Sequence, residues 1–470
     1  MARTAEQDQV RELQRTLYRA AKADPGRRFH ALYDKVFRRD VLERAWRQVR
    51  SNRGAAGIDR ATLADVEQHG VERRLDELAA DLKERRWRPL PARRVFIAKP
   101  GKLEQRPLSI PTVRDRVVQT ALKLAIEPVF EADMLECSFG FRPRRSAHDA
   151  LQVLVDEAWA GRRWVVETDI ASCFESIPHD RLMEAIEERV VDRRVLGLLR
   201  VMLRAGVMQD GTLTRSDTGT PQGGVISPLL ANVYLGRLDR SWQASGHGVL
   251  VRYADDLVVM CKTKAQAEAA LQQLRVIAAE LGLSLKDAKT RIVHLREGGE
   301  GIDFLGFHHR WVRARGQRFS HFCFLARWPS RQGMQHARDQ LCVLTERRRL
   351  RLPVDLIVRD INMFLRGWSG YYRYGNSADH FNKVNHFAVE RLALFVAKRH
   401  KRRRRYGQSI VWRVSTNRLG LIDINGTVVP PRPNKPWRGN SRMPTVKNVG
   451  EPCAGEPHAR FEAAAGGNQR

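Results

Sequence analysis

The chain has 470 residues, 43% of them hydrophobic, which allows two or three domains around a sizeable core and excludes a wholly disordered polymer. Lys and Arg total 83 against 53 Asp and Glu, a net charge of +30, and an excess of that size demands an anionic partner, foremost a nucleic acid backbone. No run approaches the roughly 20 apolar residues of a membrane span, the polar stretch 1–15 is no secretory signal, and no C-x-x-C pair occurs among the six cysteines, which leaves reduced thiols rather than a disulfide framework or a zinc knuckle.

Apolar spacing predicts helices over residues 10–50. Leu13, Leu17 and Ala20 share a face, and Leu32, Val36, Val41 and Leu42 continue it after Pro25-Gly26. Residues 51–57 read as a loop containing Gly54 and Gly57, and 63–85 as one further helix. Val95-Phe96-Ile97 reads as a strand stopped by Pro100-Gly101, and 114–131 as a helix with Val117, Val118, Ala121, Leu122 and Ala125 inward. Between 164 and 305 short strands alternate with helices. Trp164-Val165-Val166 ends at Asp169, the runs 249–251 and 257–260 flank a hairpin tip at Ala254-Asp255-Asp256, and alanine-rich 264–281 is a helix. The pattern is helical again over 334–400, and 398–405 is an almost pure basic run. From about residue 430 to 470, Pro, Gly, Asn and Ala without periodicity predict a largely disordered end.

The chemistry concentrates in carboxylates. Asp255 and Asp256 lie side by side between two apolar strand runs, where like charge and desolvation both oppose ionisation. A solvated hairpin turn is the plain alternative for this pair alone. Asp169 closes a second apolar strand. If the strands pair, Asp169 and Asp255 meet at one sheet edge, where two carboxylates suit two Mg²⁺ ions about 3.5–4 Å apart. Side chains alternate along a strand, so Asp255 ranks above Asp256 as a direct ligand.

Tyr253-Ala254-Asp255-Asp256 resembles the Y-x-D-D box of reverse transcriptases. Its companions make the resemblance specific to the enzymes encoded in bacterial group II introns: the blocks from Arg106 to Thr112, from Phe139 to His148, from Gly219 to Asn232 (Gly219-Thr220-Pro221-Gln222-Gly223-Gly224 at its start) and from Phe304 to Phe307 follow in that family's order, within a likeness covering residues 10–400. The resemblance implies an α+β right-hand polymerase. Residues 1–90 would form an N-terminal helical extension and the start of the fingers, 91–308 fingers and palm with an antiparallel sheet and helices, 309–400 a helical thumb and maturase domain, and 401–470 a basic C-terminal segment. It implies an RNA-directed DNA polymerase that copies its intron RNA and also assists splicing and mobility.

Carried over residue by residue, the likeness makes Asp169, Asp255 and Asp256 catalytic, with Asp169, Asp255 and the Ile170 backbone as ligands of two Mg²⁺ ions. Lys99 and Arg106 match the fingers cations that hold the triphosphate, Ile170 and Gln222 lie beside the nucleotide, and Lys289 matches a palm lysine. Phe174 stands where an aromatic ring blocks a 2′-hydroxyl. Cys173 and Glu175 depart from the usual pattern around that ring. In the thumb, Arg366, Trp368, Tyr371, Tyr372, Lys398, Arg399, Lys401 and Arg402 combine aromatics with cations and read as RNA-binding, with a helix core as the plain alternative for the aromatics. The implied partners are group II intron RNA, an RNA template with a DNA primer, target DNA and dNTPs, with no membrane. The implied setting is the bacterial cytoplasm at the nucleoid. Only Cys453 lies beyond residue 400, so the Cys pairs of an endonuclease domain are not expected, and priming from an existing DNA 3′ end is. A splicing-only maturase, or a reverse transcriptase of phage defence or diversification, remain the alternatives.

Overall fold

The computed structural model describes residues 2–98, 105–215, 217–220, 222–314, 322–414 and 418–433. Helices α1 (Ala2–Ala23), α2 (Tyr33–Val36) and α3 (Arg39–Ser51) occupy the predicted helical stretch and bury Leu17, Ala21, Val36, Val41, Leu42 and Trp46. The single helix predicted over 63–85 is two, α4 (Leu63–Gln68) and α5 (Val71–Lys83). Thr62 caps α4 reciprocally with Asp65 at 3.2 and 2.8 Å, and Gly70, at φ 90°, turns the chain before α5. Apolar spacing runs on across that junction, so periodicity alone joined them.

β1 (Ala92–Ala98) contains the predicted strand and pairs antiparallel with β2 (Gln105–Ile110), setting Ile97 opposite Arg106. Pro100-Gly101 lies outside the described residues. α6 (Val113–Glu131) packs against α1, α2 and α3 and is buried over most of its circumference, with a partly exposed polar stripe at Gln119, Lys123, Glu127 and Glu131. After α7 (Ala147–Trp159), β3 (Trp164–Asp169), α8 (Cys173–Ser176), α9 (His179–Glu187) and α10 (Arg193–Leu203) come β4 (Val207–Gln209) and β5 (Thr212–Thr214), which complete a sheet of order β2-β1-β4-β5. The sequence did not announce these two strands: each is three residues long and neither is buried.

The central sheet follows from α11 (Ser227–Ser245), β6 (Val249–Tyr253), β7 (Asp256–Cys261), α12 (Lys264–Glu280) and β8 (Arg291–His294). Its order is β6-β7-β3-β8, antiparallel throughout. Val166, Leu257 and Val259 face a core shared with Ala267, Leu274 and Ile277 of α12, whereas Val165, Val258 and Met260 face a second core with Leu151 and Leu154 of α7. Strands covered on both faces have no polar side to alternate with, which is why they read as unbroken apolar runs.

A third sheet, β11-β10-β9, is built from β9 (Ile302–Phe304), β10 (Phe307–Arg313) and β11 (Cys323–Pro329). The division expected at residue 308 therefore falls inside β10. The strand escaped the sequence reading because His309 stands on its inward face between Phe307 and Trp311 and breaks the apolar alternation. Three helices then cover the predicted stretch 334–400: α13 (Arg331–Leu344), α14 (Val354–Tyr372) and α15 (Ala378–Arg399), followed by α16 (Arg404–Gln408). Leu341, Ile357, Ile361, Leu365, Phe381 and Leu392 join them to the second core. No helix among the described residues is long and apolar enough to cross a membrane. The expectation of disorder concerns residues that, from 434 onward, lie outside the description.

Candidate active site

β3 and β7 pair with Asp169 directly opposite Asp256, and β6 and β7 are joined by the two-residue turn Ala254-Asp255. The Ile170 backbone N–H donates to the Asp255 carbonyl at 3.0 Å, and the Lys286 N–H donates to the Asp169 carbonyl at 2.8 Å. Strand pairing thus brings the three predicted acids to one edge. Ile170 is 2% exposed and its side chain is a hydrocarbon, so its backbone carbonyl is the one group it could offer as a ligand. Ala254 takes φ 58°, a left-handed conformation that costs a non-glycine residue ~1–2 kcal/mol.

Burial and the neighbouring charges both act on the ionisation of the acids. Burial pushes the Asp256 carboxyl up to about 7, helped by the neighbouring charges of Asp255 and Glu167 and opposed by Arg106. Burial also raises Asp255, against its own backbone N–H, Arg106, Arg252 and Lys286. Both residues are half-buried. Asp169 is ion-paired with Lys289, and Glu167 with Arg291 at 2.8 Å. Among the described residues no three His, Cys, Asp or Glu side chains form a ready-made metal cluster. The donor set nonetheless suits a divalent cation: it holds hard oxygen ligands whose ionisation is opposed by burial and mutual repulsion, both relieved by added positive charge.

The loop before α11 is stitched to both neighbours. The Ser109 N–H donates to the Gln222 carbonyl at 2.6 Å, the Thr220 N–H to the Phe174 carbonyl at 2.6 Å and the Gly219 N–H to the Ile177 carbonyl at 2.7 Å. A Cβ on Gly223, which has φ 107°, would lie 2.5 Å from the Ser109 carbonyl oxygen. The backbone therefore joins the loop carrying Gln222 to β2, the strand of Arg106, and to the segment carrying Phe174. The half-buried Phe174 ring meets Phe141 edge to face at 6.5 Å. Cys173 is buried, with its thiol pushed up to about 12 by that burial and by Asp255, whereas Glu175 is exposed. Lys99 lies outside the described residues.

The expected RNA-binding residues divide. Arg366, Lys398, Lys401 and Arg402 are exposed, and Arg399 is partly covered, donating to the Leu350 carbonyl at 2.7 Å. Trp368 and Tyr372 require a correction: they are 1% and 4% exposed and offer no face to a base. Trp368 Nε1 donates to the Gly333 carbonyl at 3.4 Å, and the Tyr372 hydroxyl is wedged against Gly306 and Gly333. The Tyr371 hydroxyl donates to the Leu305 carbonyl at 2.7 Å, while His148 Nε2 donates to the Tyr371 carbonyl at 2.7 Å. The aromatic run therefore locks α14 onto the turn at Leu305-Gly306 and onto α7.

Sequence reasoning gave no role to Arg252, Asp239, Asn232, Ser138 or Gly140, which sit directly behind the acidic turn. An arginine within the apolar run Leu250-Val251-Arg252 was the available signal.

Comparison with known proteins identifies two family domains along the chain. The reverse transcriptase (RNA-dependent DNA polymerase) family matches residues 97–309, and the group II intron maturase-specific domain matches 334–412. Protein YkfC of Escherichia coli (strain K12) is 36% identical over 350 residues, 66% of this chain and 90% of that protein. The chain belongs to the group II intron-encoded reverse transcriptases. LtrA, the group II intron-encoded protein of Lactococcus lactis subsp. cremoris, is 37% identical over 212 residues, 45% of this chain and 35% of LtrA. Nuclear intron maturase 1 of Arabidopsis thaliana is 34% identical over 94 residues, 20% of this chain and 13% of that protein. As a group II intron reverse transcriptase, the protein is an RNA-directed DNA polymerase whose mixed α/β polymerase domain carries the acids described above and whose maturase domain serves the binding of intron RNA.

Proposed function

We propose that the acidic edge is the polymerase centre of this reverse transcriptase, copying an intron RNA into DNA from a DNA primer. The observation that carries this is the register of Asp169 opposite Asp256, with the Ile170 N–H bound to the Asp255 carbonyl. Asp169, Asp255 and the Ile170 carbonyl would hold two Mg²⁺ ions, with Asp256 beside them. Such a pair supplies Lewis acidity at the primer 3′-hydroxyl and neutralises charge on the leaving pyrophosphate. Arg106 and Lys99 receive the triphosphate, Arg106 already acting electrostatically on both acids of the turn. Lys289 balances Asp169. Gln222 lies along the sugar, and Phe174 excludes a 2′-hydroxyl.

The same reading divides the chain as a right hand. Residues 1–90 begin the fingers, the chain from residue 91 to the third sheet completes fingers and palm, the helices from α13 to α15 form the thumb, and 401–470 add a basic tail. Arg366 and the exposed cations from Lys398 to Arg402 track the phosphates of intron RNA. Target DNA, dNTPs and the cytoplasmic nucleoid complete the setting. The experiment is extension of a DNA primer on an RNA template with four dNTPs and Mg²⁺. DNA of template length is the expected product, and template binding without extension would refute the reading.

A further inference from the structure

Arg252 is the last residue but one of β6 and is 0% exposed. A guanidinium carries five N–H donors in a rigid plane, and here all five have acceptors. Nε and Nη2 donate to Asp239 Oδ1 and Oδ2 at 2.7 and 2.6 Å. Nη2 also donates to Ser138 Oγ at 2.8 Å, and Nη1 to Asn232 Oδ1 at 3.0 Å and to the Ala254 carbonyl at 3.2 Å. Asn232 in turn donates from Nδ2 to the Gly140 carbonyl at 2.7 Å. The Arg252 backbone bonds Cys137 and Phe139 at 2.7 and 2.9 Å. Residues 137–140, helix α11 and the acidic hairpin therefore meet on one side chain.

A buried ion pair is a poor way to add stability. Apolar replacements of similar volume are often neutral or stabilising, because the charges need no longer be desolvated. Five directed bonds supply a single permitted arrangement instead. Arg252 apart, the buried residues on both faces of β6 and β7 are apolar, so without that side chain a one-residue slip would exchange one apolar face for another and burial would resist it weakly. The acceptors of Arg252 coincide in one register only. The left-handed backbone of Ala254 is the kind of strain that persists where its surroundings over-determine it. α11 also follows directly on the Gly223-Gly224 loop, so the same network ties the acidic turn to the element carrying Gln222.

We propose that Arg252 is a positioning residue for polymerisation. With Asp239 and Asn232 it fixes the register and height of the Ala254-Asp255 turn, and so the placement of Asp255 and Asp256 relative to Asp169. This assignment rests on the polymerase reading of the site.

Two variants test it. The double variant Arg252→Met with Asp239→Leu removes the charges and keeps the volume; Asn232→Ala cuts the network and leaves the ion pair. Each is compared with the unaltered protein by burst-phase addition of one dNTP to a DNA primer on an RNA template. KM for dNTP and Kd for the template–primer are measured alongside. The expected result is a full burst amplitude, unchanged KM and Kd, and a burst rate lower by about 10-fold or more, as a sub-ångström displacement of catalytic groups produces. An unchanged burst rate in folded protein overturns the assignment. So does a loss confined to amplitude, with surviving molecules at full rate, because that marks a purely structural role. If the double variant does not fold, Asn232→Ala decides by the same two readouts. An unaltered protein that adds no nucleotide overturns the polymerase reading and this assignment with it.

Discussion

Replacing Gly140 by alanine is a small change with a calculable effect. A Cβ there would lie 2.4 Å from the Ala254 nitrogen, 3.0 Å from the Tyr253 carbonyl carbon and 3.2 Å from the Ala254 Cα. All three are backbone atoms of the acidic hairpin, so no rotamer change relieves the contact. Ordinary contact begins at 3.4 Å, so the two segments must separate by about 1 Å (3.4 − 2.4). The Gly140 segment cannot easily retreat, because its carbonyl is held by Asn232 at 2.7 Å and the Phe139 N–H by the Arg252 carbonyl at 2.9 Å. The turn moves instead. Overpacking of this kind costs about 1–3 kcal/mol of stability, and a 1 Å misplacement of catalytic groups costs on the order of 10²-fold in rate. Gly140→Ala should therefore melt somewhat below the unaltered protein and add a single dNTP on an RNA template about 100-fold more slowly, with template–primer Kd unchanged. A variant that keeps its melting temperature and its burst rate would refute the reasoning, since the close approach would then have no consequence for the turn.

Phe174→Ala should raise ribonucleotide incorporation relative to deoxyribonucleotide by on the order of 10-fold; competition between rNTP and dNTP measures it, and an unaltered preference rejects the steric role. Tyr371→Phe removes the donor to the Leu305 carbonyl and should cost about 1 kcal/mol of stability, read by thermal unfolding, while extension of a limiting primer weakens and KM for dNTP does not change. Burial, helped by the charge of Arg327 and by His308, holds the pKa of His309 well below 6.5. In the unfolded chain it protonates near 6.5 and in the folded chain it does not, so it contributes stability above that pH which is lost as the pH falls below it. Melting temperatures from pH 7.5 to 5 should show a shallower decline in His309→Leu, and an identical slope would exclude the residue as the source.

Much of the fold was legible because the physical signal was local. The acidic turn is bracketed by strand runs with few polar interruptions, and α12 carries its alanines at helical spacing, so both stand where the sequence put them. The short strands β4 and β5 carry no such signal, since three exposed residues neither alternate nor bury anything. The thumb aromatics show a legible pattern read too generously. Ile357, Ile361, Leu365, Trp368 and Tyr372 recur every three or four residues and share one buried face, so spacing already assigned Trp368 and Tyr372 to the core. Arg252 and Asn232 were harder. Their roles depend on contacts between residues 138, 140, 232, 239 and 254, and single-sequence periodicity does not report which distant segments meet. The acids of the site were visible as types and positions, but only the register of β3 against β7 brings Asp169 opposite Asp256.

The most direct measurement compares addition of one nucleotide to a DNA primer on an RNA template by the unaltered protein and by Asp255→Asn, with the Kd for the template–primer determined for both. The account predicts incorporation by the unaltered protein, none by the variant, and equal binding. Incorporation at equal rates would contradict it, because nucleotidyl transfer would then proceed without the carboxylate at the turn.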